Sequence, residues 1–461
     1  MKKIIFSILS ILFLFNQSFS QDFGTGLNFN DTQYKNVKKK AVLTRSLYTE
    51  LPKSYSLKKY APIPKSQGQF GTCVGWSTAY AGMTILESIS YNRTNKTITT
   101  SNTFSPGFVY KQIKTSTDTY CKLGSSIKDA LDIMQTKGVC KYSDMTETNC
   151  PSYISPTIFT KASAYKITSY AKVFGMFDSK DFKIKAVKKS LSENNPVIIG
   201  MNVPKSFYGA KDVWVPTESS SLSYGGHAMC VIGYDDTKNG GAFEIMNSWG
   251  TQWGNNGFIW VDYDDFHDFV KYAYEMIKFK SVKKDITYSF SGSVKFVKSD
   301  GTISQASYSD GIYKTDEAYR SGTKFRLYIS NSEPAFVYAF GFDATKKTFT
   351  IFPHEAGISA ALNYANNSVA IPDEDHFIQT DNTVGNDYLC VLYSKKDLNI
   401  EAIKQQIEQL SGSFSYRLNK VMQGKLVNTE NTSFHQENIS FSVKKSKKSV
   451  VALIIETAHT H

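Results

Sequence analysis

The stretch Gln67-Gly68-Gln69-Phe70-Gly71-Thr72-Cys73-Val74-Gly75-Trp76-Ser77 sets a cysteine among glycines where a helical pattern begins. Over 72–90, Trp76, Ala79, Tyr80, Met83, Leu86 and Ile89 recur at three- and four-residue steps, which predicts a helix with Cys73 in its first turn. The positive end of a helix favours the thiolate of such a cysteine. The flanking glycines allow another backbone to come close. Gln67 is spaced to offer a side-chain N–H to an oxyanion, beside the backbone N–H of Cys73. Taken alone, the stretch reads equally as a buried structural cysteine at a glycine-rich helix start.

Two further motifs follow in the chain. Gly225-Gly226-His227-Ala228-Met229-Cys230-Val231-Ile232-Gly233-Tyr234 puts a histidine at the start of an apolar strand, able to face a cleft while the strand behind it stays rigid. Asn247-Ser248-Trp249-Gly250-Thr251-Gln252-Trp253-Gly254 offers an amide to hold one imidazole nitrogen, leaving the other for sulfur, with Trp249 as a shield against water. Each has a bland reading, a core histidine and a turn packed with tryptophans. The order and chemistry of the three together point elsewhere.

Together they resemble the papain-like cysteine peptidases over roughly residues 49–280. The resemblance implies a nucleophile at Cys73, a general base and acid at His227, an orienting amide at Asn247 and an oxyanion donor at Gln67. It also implies two lobes with the cleft between them, one helical and one strand-rich and barrel-like. Cys121-Lys122-Leu123-Gly124-Ser125-Ser126 resembles the glycine-bearing wall that pairs with substrate before the cut. Gly124, Ser125, Ser126, Gly200, Gly226 and Trp249 are therefore expected at the substrate. The small residues imply a roomy pocket, without acidic groups, for a bulky apolar side chain two places before the cut. The chemistry requires no metal or organic cofactor. The resemblance implies an imidazolium–thiolate pair at rest, and endopeptidase action is the default.

Three departures stand out. Phe70 replaces a cysteine that in many members pairs with the one matching Cys121, and Val74 replaces the usual tryptophan. The segment at 21–48 is polar, without a clear period, and far shorter than the family's inhibitory prodomain.

Outside these motifs the chain bounds its own context. Its 461 residues suggest two domains, and 41% hydrophobic and 20% charged residues fit a globular protein. The net charge of +12 comes from scattered lysines. They read as solvated loops, with an anionic cell surface as the alternative partner. No nucleic-acid-binding signature is present. Lys2-Lys3, an apolar run over 4–15 and Ser18-Phe19-Ser20 make a secretory leader with cleavage after Ser20, and no second run has membrane-spanning length. The expectation is a secreted or periplasmic protein whose partners are protein or peptide substrates. Of six cysteines, Cys230 and Cys390 lie in apolar runs as buried thiols, and Cys140 with Cys150 is the favoured bridge. A basic linker at 278–284 precedes a β-rich accessory domain at 285–461 with one helix, over 399–410. That region resembles an uncharacterised bacterial domain, marked by Phe342-Asp343, Phe352-Pro353, Ile371-Pro372 and Asp381. It is expected to be separable, and His354, His376 and Asp373 to Asp375 read as scattered loop residues, not as a metal site.

The expected fold class is α+β, a two-lobed papain-like fold followed by a β-rich domain. The alternatives to hydrolysis are a catalytically dead envelope or surface binding protein, and a transpeptidase or amidase using the same triad.

Overall fold

One unbroken helical run carries the first motif: Cys73–Gly75, a π-helical stretch Trp76–Met83, then Thr84–Ser90. Every residue of its first eleven positions is buried. The hydroxyls of Ser77 and Thr78 both donate to the Val74 carbonyl (3.1 and 2.6 Å), competing with the backbone ladder where the helix widens. Pro106–Ile113, capped by Ser105, and Ile127–Thr136, capped by Ser126, pack around it as the helical lobe. Gly138, at φ 86°, stops the second of these helices where the sequence predicted. The structure, a computed structural model, describes residues 23–146, 150, 153–278, 287–436 and 438–461. The leader at 1–20 and nearly all of the linker lie outside the described residues.

The second lobe is an open sheet, not a barrel. Its order runs Ser169–Lys172, Val270–Ile277, Val197–Val203, Gly225–Asp235, Ala242–Met246, Phe258–Asp262, Val213–Trp214, with Ser54–Ser56 on Gly225–Asp235. At one edge of the sheet residue 39 pairs with Lys172 in parallel, covering that edge with other chain. His227 lies opposite Met201, and Ala228 opposite Gly200, in the antiparallel register of the two central strands.

Beyond the linker, two antiparallel-rich sheets stack as a sandwich. Ala335–Phe342 shows why a sequence of eight buried residues forms here. Val337 and Ala339 face the opposite sheet with Leu327 and Phe441, while Phe336, Tyr338 and Phe340 face the helices Ile400–Gln409 and Phe414–Val421. The helix over 414–421 was not expected; its eight residues follow a loop rich in Ser and Gly that hid its start, although Ser413 caps it.

The bridge is Cys121–Cys150, with Cα atoms 5.5 Å apart, and not Cys140–Cys150. Cys140 is wholly buried in the main core, its carbonyl bonded to the Ser105 N–H. Cys121 is buried too, in the left-handed region at φ 54°, and lies within bonding reach of Cys150. Cys230 and Cys390 are buried free thiols.

The C-terminal sandwich is also less separable than its lack of motifs suggested. Ala171 and Ile277 of the peptidase-like half share a core with Phe336 and Tyr338 of the sandwich. Glu275, fully buried, accepts from Lys40 (2.6 Å), Asn363 (2.8 Å) and Tyr364 (2.7 Å). Removing the sandwich strips two of these three donors from a buried carboxylate.

Candidate active site

The helix start and the His227 strand meet at sulfur. The Ala228 N–H donates to Cys73 Sγ at 3.4 Å, so the thiol sits against the strand immediately beside His227. His227 Nε2 lies 2.8 Å from Asn247 Oδ1. That same Oδ1 accepts the Ser248 N–H at 2.7 Å, which fixes the amide orientation. Nε2 is therefore the protonated nitrogen of the neutral ring, and Nδ1 keeps its lone pair. Among the described residues Nδ1 has no hydrogen-bond partner, although it is buried. Trp249 stacks on the imidazole, centroids 4.7 Å apart, and covers the bond to Asn247.

Gln67 is held from two sides. Its Oε1 accepts from the Ser248 hydroxyl at 2.5 Å, and its Nε2 donates to the Phe70 carbonyl at 2.7 Å. One amide hydrogen remains for another acceptor. Ser248 thus orients both Asn247 and Gln67, a role that sequence reading passed over within a motif it quoted. The four residues named from sequence as catalytic are together, and all four are buried.

The electrostatics differ from the expected ion pair. Burial pushes the Cys73 thiol up to about 12, against the pull of nearby backbone N–H groups, and lowers His227 to about 4 despite its bond to Asn247. Both groups are neutral at pH 7 in this state. The reason is what lies on top of them.

Residues 23–28 fill the groove between the lobes. Phe23 stacks on Trp249 at 4.9 Å, and the Trp249 indole N–H donates to the Gly24 carbonyl at 2.9 Å. The Gly24 N–H donates to the Gly68 carbonyl, and those of Gly26 and Leu27 donate to Gly226 (2.9, 3.1 and 2.9 Å). Ser125 donates to Gly26 and accepts from Asn28, both at 2.9 Å, so Leu27 pairs with the wall in parallel. A Cβ at Gly24 would meet the Phe70 carbonyl, and one at Gly26 the backbone of Gly71, so only glycine passes this close to the loop before Cys73. Leu27 lies over Gly200 and Gly226, the small positions assigned to the apolar pocket. Gly124 stands against the Gly26 carbonyl. Ser126 is the exception: it caps its helix and donates to Gln33 at 2.6 Å, away from the groove floor. The Gly-Thr-Gly alternation at 24–26 was the available signal for this segment, which has no periodicity to reveal it.

Among the described residues no group of three His, Cys, Asp or Glu side chains converges to hold a metal. His376 instead bonds Asp373, and Glu374 and Asp375 engage Arg45. No described helix is long and apolar enough to cross a membrane.

The papain family cysteine protease profile matches residues 51–273, and that of a domain of unknown function (DUF4384) matches 318–397. An uncharacterized peptidase C1-like protein of Acanthamoeba polyphaga mimivirus is 27% identical over 226 residues, 45% of this chain and 68% of that protein. Cysteine proteinase 3 of Entamoeba histolytica is 25% identical over 213 residues, 45% and 62% of the two chains. Among solved structures, xylellain, a cysteine protease from Xylella fastidiosa, has 22% identity and a TM-score of 0.45, covering 56% of this chain and 97% of that one.

Proposed function

Residues 51–273 belong to the papain family of cysteine peptidases, and from that premise we propose that this chain is an exported endopeptidase whose triad is Cys73, His227 and Asn247. The observation that carries the reading is the His227–Asn247 bond. With Ser248 fixing the amide, the proton stays on Nε2, and Nδ1 is the basic nitrogen left for the neighbouring thiol. The Cys73 proton passes to Nδ1, and the thiolate adds to the substrate carbonyl. The oxyanion takes hydrogen bonds from Gln67 Nε2 and the Cys73 N–H. His227 returns the proton to the departing amine, leaving a thioester. Water then adds with His227 as base, releasing the carboxylic acid and restoring the thiol.

Residues 23–28 support three finer points. They occupy the groove on both sides of Cys73, which suits cleavage within a chain. Leu27 over Gly200 and Gly226 favours substrates with a bulky apolar residue two places before the cut. The segment runs from Trp249 towards Ser125, opposite to a substrate whose residues before the cut lie along Gly124 and Ser125. It is thus held as an inhibitor, its peptide groups turned end for end. Export rests on the leader at 1–20, and the Cys121–Cys150 disulfide favours an oxidising compartment.

The test is a thiol-directed epoxide applied to chain in which Leu27→Glu has displaced the segment. The expected result is a single adduct on Cys73, lost on His227→Ala, with hydrolysis of a Leu-containing fluorogenic peptide lost in parallel. An unlabelled Cys73 in that folded variant overturns the assignment. Transfer of the acyl group to added amines in place of water would make the enzyme a transpeptidase.

A further inference from the structure

The segment in the groove is not held by the groove alone. After Asn28 it forms the short helix Asp31–Lys35, where Tyr34 is buried against Tyr272 and donates to the Phe174 carbonyl at 2.6 Å. Then it leaves the peptidase half. The Lys39 N–H donates to the Gly357 carbonyl (2.6 Å) and its own carbonyl accepts from Ser359 (2.8 Å), while Lys40 still donates to the Lys172 carbonyl (3.0 Å). One stretch of backbone is therefore shared between the two halves. Ala41 and Leu43 are buried in the core of the C-terminal sandwich. The Thr44 N–H donates to Ser368 (2.9 Å), the Arg45 N–H to Glu374 (2.6 Å), and the Arg45 guanidinium pairs with Asp375. Lys40 reaches Glu275, which Asn363 and Tyr364 of the sandwich also grip.

We propose that the C-terminal sandwich is a latch: by gripping residues 39–45 it keeps residues 23–28 seated over Cys73, and loosening that grip uncovers the thiol. This assigns a function to a domain otherwise without one. What the latch controls rests on the peptidase reading above, but the latch itself is a statement about access to Cys73.

One contrast supports it. The groove contacts of residues 23–28 are single hydrogen bonds, one leucine and the Phe23–Trp249 stack, the kind of interaction that opens locally. The sandwich contacts put Ala41 and Leu43 into a core, which resists separation, and the sandwich's Asn363 and Tyr364 share with Lys40 the buried Glu275 of the peptidase half. Tyr34 and Val37, buried in the peptidase half between the two, connect the weakly seated end to the firmly anchored one, so tension at the anchor reaches the groove through the helix Asp31–Lys35.

The experiment uses the full chain and reads the rate at which methyl methanethiosulfonate modifies Cys73, located by peptide mass. Leu43→Asp, remote from the groove, should raise that rate roughly tenfold or more. Arg45→Glu should raise it about two- to fivefold, as expected for an exposed pair, and adding Asp375→Arg should restore the slow rate. Arg45 is two-thirds exposed, so its variants fold even if Leu43→Asp does not. Leu27→Glu, which unseats the segment directly, sets the fully open rate. Latch variants that stay at the unmodified chain's rate while Leu27→Glu is fast overturn the latch. An unmodified chain already at the Leu27→Glu rate overturns it too, because nothing is then being held. Hydrolysis of a Leu-containing peptide, followed alongside, separates the two readings: faster modification without hydrolysis leaves the latch standing and sinks the peptidase.

Discussion

Two strands, Gly225–Asp235 and Ala335–Phe342, are almost equally buried, and they announce different things. The first carries a histidine amid apolar residues, with one ring nitrogen bonded and the other left over. A buried polar atom without a partner is destabilising, so its presence in an otherwise apolar strand points to chemistry. The second strand is apolar on both faces because a sheet lies on one side and helices on the other. Such a strand points only to architecture, and what its domain does must be read at the edges, where it touches the rest of the chain.

The comparison breaks most decisively at sulfur. Cys73→Ala in the opened chain should reduce peptide hydrolysis to background while the melting temperature stays close to that of the parent. Retained turnover would move the chemistry away from the His227 strand altogether. Gln67→Ala should keep KM and lower kcat by roughly 10²–10³, the usual loss for one oxyanion donor. An unaltered kcat would make Gln67 merely a partner of Ser248 and Phe70.

Acidity sharpens the contrast between the covered and uncovered site. His227 is held at about 4 when covered, below its ordinary 6.5. The uncovered state therefore binds a proton more readily, and the covered state, at full strength above pH 6.5, weakens as pH falls towards 4. At pH 5 the opening constant should be about 20-fold larger than at neutral pH. Cys73, raised from 9.0 to about 12, weakens the cover again as pH climbs above 9. Hydrogen-exchange protection at Gly26, Leu27 and Asn28, corrected for intrinsic rates, measures this. Protection that stays level from pH 7 to 5 would mean the segment opens without changing the surroundings of His227.

The smallest effect tests the boundary between the halves. Asn363→Ala removes one donor from Glu275 and should lower stability by about 1–3 kcal/mol in urea. If only the sandwich melts earlier, the halves unfold independently and the shared carboxylate does not couple them.

The proposed catalytic residues were legible because such chemistry needs fixed residue types at fixed places along the chain. Cys73, His227, Asn247 and Gln67 lie together as their motifs implied, and the helix 127–136 ends at the glycine that marked it. Residues 23–28 were not legible in the same way. They are held mainly through backbone N–H and carbonyl groups, which every residue has, and only Gly24 and Gly26 betray the close approach. The disulfide failed for a related reason: Cys140 is closer in sequence to Cys150, but the fold brings Cys121 to 5.5 Å from it, Cα to Cα. Glu275 gave no hint at all, since its three donors, Lys40 and the adjacent Asn363 and Tyr364, come from two distant parts of the chain.

That distance has a consequence for the order of events at synthesis. Arg45 is bound by residues 329 and 330 positions later. A chain emerging from its N-terminus completes the sheet around His227 before any of those residues exists, and contacts so far apart in sequence are the last to close. The newborn peptidase half must therefore wait, its groove segment seated by its own bonds and by Tyr34 but not by the sandwich, until the final strands arrive. A chain cut short by a premature stop is, on this geometry, the form least restrained.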